Sequence, residues 1–303
     1  MLVACGAPAR PPATQPASRP ADARASADDL RAVVLDSYLQ LSQGYEGLYL
    51  DGLLHDPRLT LIDVEADDVL VGYDAQRALA IRRIFPDTDQ EVVSKDLHVH
   101  VSDDGGFAWI DDHVSYRALV GGRRAILPER ATAVYERREG RWLEVAGHVS
   151  YPVPEDQHFA PRAEGKLASA IAAGVFAEDV RQLVLGLCAD RGEARRAVAG
   201  DEDAVLIGPD ATLRGKDIAA RPTPRAQFGP SATIEPIAVR VDASTSGTVA
   251  WAAALLHVSD PRGTTTARAT WVIVARGGGL VVVQSHISLA VDAGALAASL
   301  FPR

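Results

Sequence analysis

Asp111, Asp112 and His113 form the most polar insertion in an otherwise strand-like stretch. Strand alternation puts Asp111 and His113 on one face and Asp112 on the other. In an apolar pocket one of these carboxyls has a raised pKa and can take a proton from carbon, with the imidazole exchanging protons near neutral pH. The same trio also fits a polar pocket lining, or a solvent or interface cluster. His148 with Ser150, and His286 with Ser288, are spaced to share a strand face, which suits orienting a ligand or bonding a sheet interface. A serine nucleophile needs its base within about 3 Å and a third group behind it. The two Cα atoms here are roughly 6 to 7 Å apart, and the order matches no hydrolase motif. His98 and His100 also alternate, but no third zinc ligand is specified. Gly277-Gly278-Gly279 reads as a hairpin turn, lacking the Lys-Ser/Thr ending of a phosphate loop. The expectation is therefore no cofactor and no metal.

The elements that must position these groups come twice. Arg130-Ala131-Thr132 precedes His148-Val149-Ser150 as Arg268-Ala269-Thr270 precedes His286-Ile287-Ser288, an ungapped block repeated at an offset of 138. Val99-His100-Val101 leads through a polar turn to Ala108-Trp109, as Val239-Arg240-Val241 leads to Ala250-Trp251. Such self-similarity marks a duplicated unit, and strand, turn, strand marks a hairpin. Helices are expected near 29–43, 73–84, 164–176, 178–189 and 215–220. Strands are expected near 93–102, 106–118, 123–137 and 141–153, and near 232–242, 248–259, 264–275 and 279–290. Helices followed by long antiparallel strands make an α+β unit. Alternation puts Trp142, Glu144, Ala146, His148 and Ser150 on one face, matched by Leu280, Val282, Gln284, His286 and Ser288. Trp109 and Trp251 suit a core, an interface or a ligand surface. The second copy has Ala253, Ala254 and Leu255 in place of the polar trio. Each open sheet has a second face to cover, and packing the two together buries both.

Gly72-Tyr73-Asp74 ahead of a short helix, the Trp109 and Trp251 strands, and the final strands ending at Ser150 and Ser288 give residues 28–154 and 166–292 a family likeness. Each resembles the SnoaL-like branch of the nuclear transport factor 2-like superfamily. The resemblance implies cone-shaped half-barrel domains, each with N-terminal helices packed on a strongly curved antiparallel sheet and a pocket at the wide end. It also implies pairing through the sheets, here within one chain as a pseudo-dimer. Members include ketosteroid isomerases, polyketide cyclases and dehydratases, but also domains without chemistry, so fold leaves activity open.

A chain of 303 residues, 47% apolar, can bury two cores. Its net charge of -9 argues against nonspecific binding to nucleic acid or an anionic membrane surface. Leu2-Val3-Ala4-Cys5-Gly6 resembles a bacterial lipobox, with Cys5 as the lipidated residue, although no basic segment or apolar run accompanies it. Residues 1–27 then read as lipobox remnant and disordered tether, 155–165 as linker and 293–303 as tail. Cys188 lies on an apolar helical stripe with Leu183, Val184 and Leu187 and reads as a buried thiol. The expected protein is lipid-anchored in the bacterial envelope, facing the periplasm or exterior, or cytoplasmic if the lipobox is accidental. Its expected role is non-catalytic binding of a small apolar molecule or another envelope protein. The alternative is a cofactor-independent isomerase, dehydratase or cyclase acting on a hydrophobic ketone-like compound in the first-domain pocket.

Overall fold

The computed structural model describes residues 20–65, 69–85, 89–120, 122–160, 162–200 and 203–291. Cys5 with its lipobox and the 293–303 tail lie outside the described residues. The first copy opens with helices α1 (Pro20–Gln43) and α2 (Glu46–Asp51), strands β1 (Thr60–Ile62) and β2 (Val69–Val71), and helix α3 (Tyr73–Leu79), which runs on into a π-helical turn, Ala80–Ile84. It continues with β3 (Glu91–Ser94), β4 (His98–Val101), β5 (Phe107–Val120), β6 (Arg123–Arg138) and β7 (Arg141–Ser150). The second copy contains β8 (Ala170–Ile171), α4 (Val175–Cys188), α5 (Gly192–Arg196), β9 (Val205–Ile207) and β10 (Thr212–Arg214). A 3-10 turn (Gly215–Ala220) and α6 (Pro224–Phe228) then lead into β11 (Thr233–Ala243), β12 (Val249–Asp260), β13 (Gly263–Arg276) and β14 (Gly279–Leu289).

Two seven-stranded sheets result, ordered β2-β1-β7-β6-β5-β3 with β4 also on β5, and β10-β9-β14-β13-β12-β11-β8. The long strands are antiparallel, while β1 on β7, β9 on β14 and β8 on β11 are parallel, so both sheets are mixed and open. Helices lie on the inner side of each sheet. The outer sides face each other, where Phe107, Trp109, Val134 and Val145 meet Val249, Trp251, Val272 and Val283.

Four expectations need correction. The tether reading fails over 20–27, because α1 begins at Pro20; proline suits a first helical turn and Ala21, Ala23 and Ala25 propagate it. The expected helix at 164–176 is absent. Between Gly165 and Gly174 so short a helix is marginal by itself, whereas the edge of β11 offers backbone partners that Ala170–Ile171 takes up. The expected strand 93–102 is broken: β3 pairs opposite Val114–Arg117 and β4 opposite Ala108–Asp111. At the gap the Asp96 N–H donates to Asp112 Oδ1 at 3.0 Å and the Lys95 N–H to the His113 carbonyl at 2.8 Å.

The final strands also depart from strict alternation. Register shifts at Val134/Tyr135 and at Val272/Ile273 leave one extra residue, Val145 or Val283, on the last strand of each copy. A bulge bends the strand and swaps the faces beyond it. Glu144 and Trp142 therefore share the inner face with Tyr135, and Val282 and Leu280 share it with Ile273, while His148, Ser150, His286 and Ser288 stay on the outer face.

Candidate functional site

The outer faces meet in a closed polar network. His148 and His286 are both fully buried and stack with ring centroids 3.8 Å apart. His286 Nε2 lies 2.7 Å from Ser150 Oγ and its Nδ1 3.0 Å from Thr132 Oγ1. Reciprocally, His148 Nε2 lies 2.7 Å from Ser288 Oγ and its Nδ1 3.0 Å from Thr270 Oγ1. Arg130 Nη2 donates to Ser150 Oγ at 3.1 Å, so that hydroxyl can donate onward to His286 Nε2, leaving Nδ1–H for Thr132. Burial, together with Arg268 and Arg130, holds His148 well below the usual histidine range; burial, with His148 and both arginines, does the same for His286.

Both arginines reach across. Arg130 donates to the carbonyls of Gly208 and Pro209 in the second copy at 2.5 and 3.2 Å, and Arg268 to those of Asp63, Val64 and Glu65 in the first. Neutral imidazoles whose nitrogens are all engaged, in a place without room for a substrate, make this a domain clamp. Trp109 and Trp251 lie in the same interface, each about 95% buried (5% and 4% exposed), which leaves no ligand platform there.

The polar trio is divided. Asp111, on the outer face, accepts from Arg214 of β10 at 2.5 Å, and His113 Nε2 lies 3.1 Å from Thr212 Oγ1. His100 stacks on Trp109, and burial lowers its pKa despite Asp111. Only Asp112 points into the first cone, so it and His113 do not form one acid-base set.

Within that cone lie groups that sequence reasoning missed. Tyr38 of α1 faces Asp112, Gln76 of α3 hydrogen-bonds the Tyr49 hydroxyl of α2, and Tyr151 hydrogen-bonds Glu129 of β6. Glu144 lies over Gly147, where a Cβ would collide with its carboxylate and come within 2.8 Å of Leu61. Burial pushes Glu144 up to about 8; burial and the nearby Asp63 push Glu129 up to about 8. Burial also raises Asp112, against hydrogen bonds from Ser94, Asp96 and Lys95 that lower it. Tyr38 Oη, Gln76 Oε1 and Asp112 Oδ2 are buried without a well-formed hydrogen bond. Such groups call for a water or a ligand.

The two inner faces differ position by position. Glu129, Ala131, Glu144 and Val149 keep accessible surface, whereas their counterparts Ala267, Ala269, Val282 and Ile287 are 0 to 2% exposed. The inner face of the first cone keeps accessible, polar positions where that of the second is packed and apolar.

A family model for the SnoaL-like domain matches residues 45–154 and again residues 191–292. The chain belongs to the SnoaL-like family. No curated protein matches it. Among solved structures, a candidate dehydratase of the nuclear transport factor 2-like family from Streptomyces avermitilis is 15% identical, covering 43% of this chain and 99% of its own, with TM-score 0.39. A nuclear transport factor 2-like protein of unknown function from Pseudomonas putida is 18% identical over 47% and 98%, also with TM-score 0.39. The two matches of the family model, one in each copy, make the chain a tandem of SnoaL-like domains. Among the described residues no helix is long and apolar enough to cross a membrane.

Proposed function

We propose that the first SnoaL-like copy binds a small, largely apolar molecule bearing a carbonyl or hydroxyl group, and that the second copy is a scaffold clamped to it. The observation that carries this is the contrast between Glu144, half-buried with a pKa near 8, and Val282, its fully packed counterpart. A carboxylic acid kept neutral near pH 7 can donate a hydrogen bond to a ligand oxygen, as can the Tyr38 hydroxyl beside Asp112. Calorimetric titration of the full chain with acetophenone and 2-cyclohexenone tests the reading. Saturable binding of either ketone at one site, weakened about tenfold in Glu144→Leu as expected for a lost hydrogen bond to a buried group, supports it. No binding, or equal binding by the variant, overturns it.

A second reading rests on the same carboxyl. With a pKa near 8 it can pass a proton in either direction at neutral pH, which suits a cofactor-independent isomerase, dehydratase or cyclase. Exchange of the α-hydrogens of bound acetophenone for solvent deuterium, absent in Glu144→Gln, would favour turnover over binding. Envelope anchoring through Cys5 belongs to the proposal as well. It requires incorporation of a labelled fatty acid by the full-length precursor in a bacterium and none by Cys5→Ala.

A further inference from the structure

We propose that the second copy carries a separate pocket for a small organic anion on an apolar body, with Arg196 and Arg221 as its anion-binding groups. A pocket of about 770 Å³ opens between α5, the turn Ile218 to Pro222, and α6, a size in the range of small-molecule sites. It lies outside the cone, whose interior is packed by Ala254, Ala267 and Val282. Four arginines line it, Arg195, Arg196, Arg221 and Arg225, against two acids, Asp190 and Glu155.

The acids are already engaged. Asp190 takes Arg195 Nε at 2.7 Å, the Thr223 hydroxyl at 2.8 Å and Arg225 at 3.5 Å. Glu155 lies 3.6 Å from Arg262. Arg221 pairs at 3.5 Å with Asp210, which does not line the pocket, and among the described residues Arg196 forms no ion pair. Buried Gln227 donates its amide to the Arg221 carbonyl at 2.5 Å and so fixes the rim. Val198, Ile218, Ala220 and Pro222 supply an apolar wall. In a chain of net charge -9, a concave patch of positive charge concentrates anions there. Guanidinium forks match carboxylates and phosphates better than a point charge does. In the first copy α2, the counterpart of α5, carries no arginine, and Asp51 stands where α5 has Arg196.

Calorimetry on the full chain with 2-naphthoate, 2-naphthol and inorganic phosphate tests this. The expected result is one naphthoate site that weakens about tenfold in the Arg196→Glu/Arg221→Glu variant and at raised salt, and is unchanged in Glu144→Leu. Both arginines are exposed, so an unchanged melting temperature verifies the variant's fold. No saturable naphthoate binding, or no loss in the double variant, overturns the proposal. So does equal affinity for naphthol in the Glu144→Leu background, where the first cone is weakened, which removes the need for charge, or equal affinity for phosphate, which removes the need for the apolar body. Loss of naphthoate in Glu144→Leu would move the ligand to the first cone and also overturn it.

Discussion

His148 and His286 stack at 3.8 Å, and each imidazole is gripped by a serine and a threonine of the opposite copy. Exchanging the copies leaves the network unchanged, because Thr132, His148 and Ser150 map onto Thr270, His286 and Ser288 at one offset. The repeated block is therefore the record of a pairing surface.

Acid should loosen this clamp. Both histidines have folded pKa values depressed below the unfolded value near 6.5. Above that pH both states are neutral and nothing is lost; below it the unfolded chain binds protons that the folded chain refuses, and stability falls. The expected slope is about 1.4 kcal/mol per pH unit for each histidine. In urea unfolding, the advantage of wild type over His148→Gln/His286→Gln should narrow as pH drops from 6.5 toward 5. A constant advantage would show that the histidines are not held neutral.

Glu144 has the opposite sign. Its folded pKa, near 8, exceeds the ordinary 4.5, so its stabilising contribution is full below 4.5 and lost as pH rises to 8. Glu144→Gln should therefore stabilise the protein at pH 8, by at most about 5 kcal/mol, and hardly at pH 4.5. Urea unfolding at the two pH values checks this; an equal effect at both would contradict the raised pKa.

Arg130 and Arg268 each bind several carbonyl oxygens across the domain boundary. Removing Arg130 strands those acceptors and should cost about 3 kcal/mol or more. Arg130→Lys should recover little of it, because a single ammonium cannot span the fork. Thermal melting of Arg130→Ala and Arg130→Lys checks this, and full rescue by lysine would contradict it.

Asp111 holds the copies together and stays out of the cone. Asp111→Ala should cost about 2 kcal/mol, less than a fully buried pair because Arg214 is partly exposed. The double variant with Arg214→Ala should cost clearly less than the two single losses combined. Ketone binding should be unchanged; its loss in Asp111→Ala would return Asp111 to the ligand site.

Much of the fold was legible because the offset of 138 exposes the duplication and strand alternation separates Asp112 from Asp111. The interface role of His148 and His286 was one of two open readings, since a strand pattern does not say which face meets a ligand. Strict alternation puts Glu144 on the wrong face, because a bulge adds one residue without any sequence signal and period 2 fails beyond it. Glu129, Tyr38, Tyr49 and Tyr151 come from four separate segments, and only the fold brings them together. The comparison that exposes them, Glu129 with Ala267 and Glu144 with Val282, was nonetheless available at the same offset.

On the proposed function the first cone takes a ligand and the second does not. The most direct measurement is a crystal structure of the chain soaked in 4-bromoacetophenone, read by the anomalous signal of bromine. Bromine is expected inside the first cone, with the carbonyl oxygen at Glu144 or Tyr38, and none inside the second. An empty first cone at saturating ligand, or equal occupancy of both cones, would contradict it.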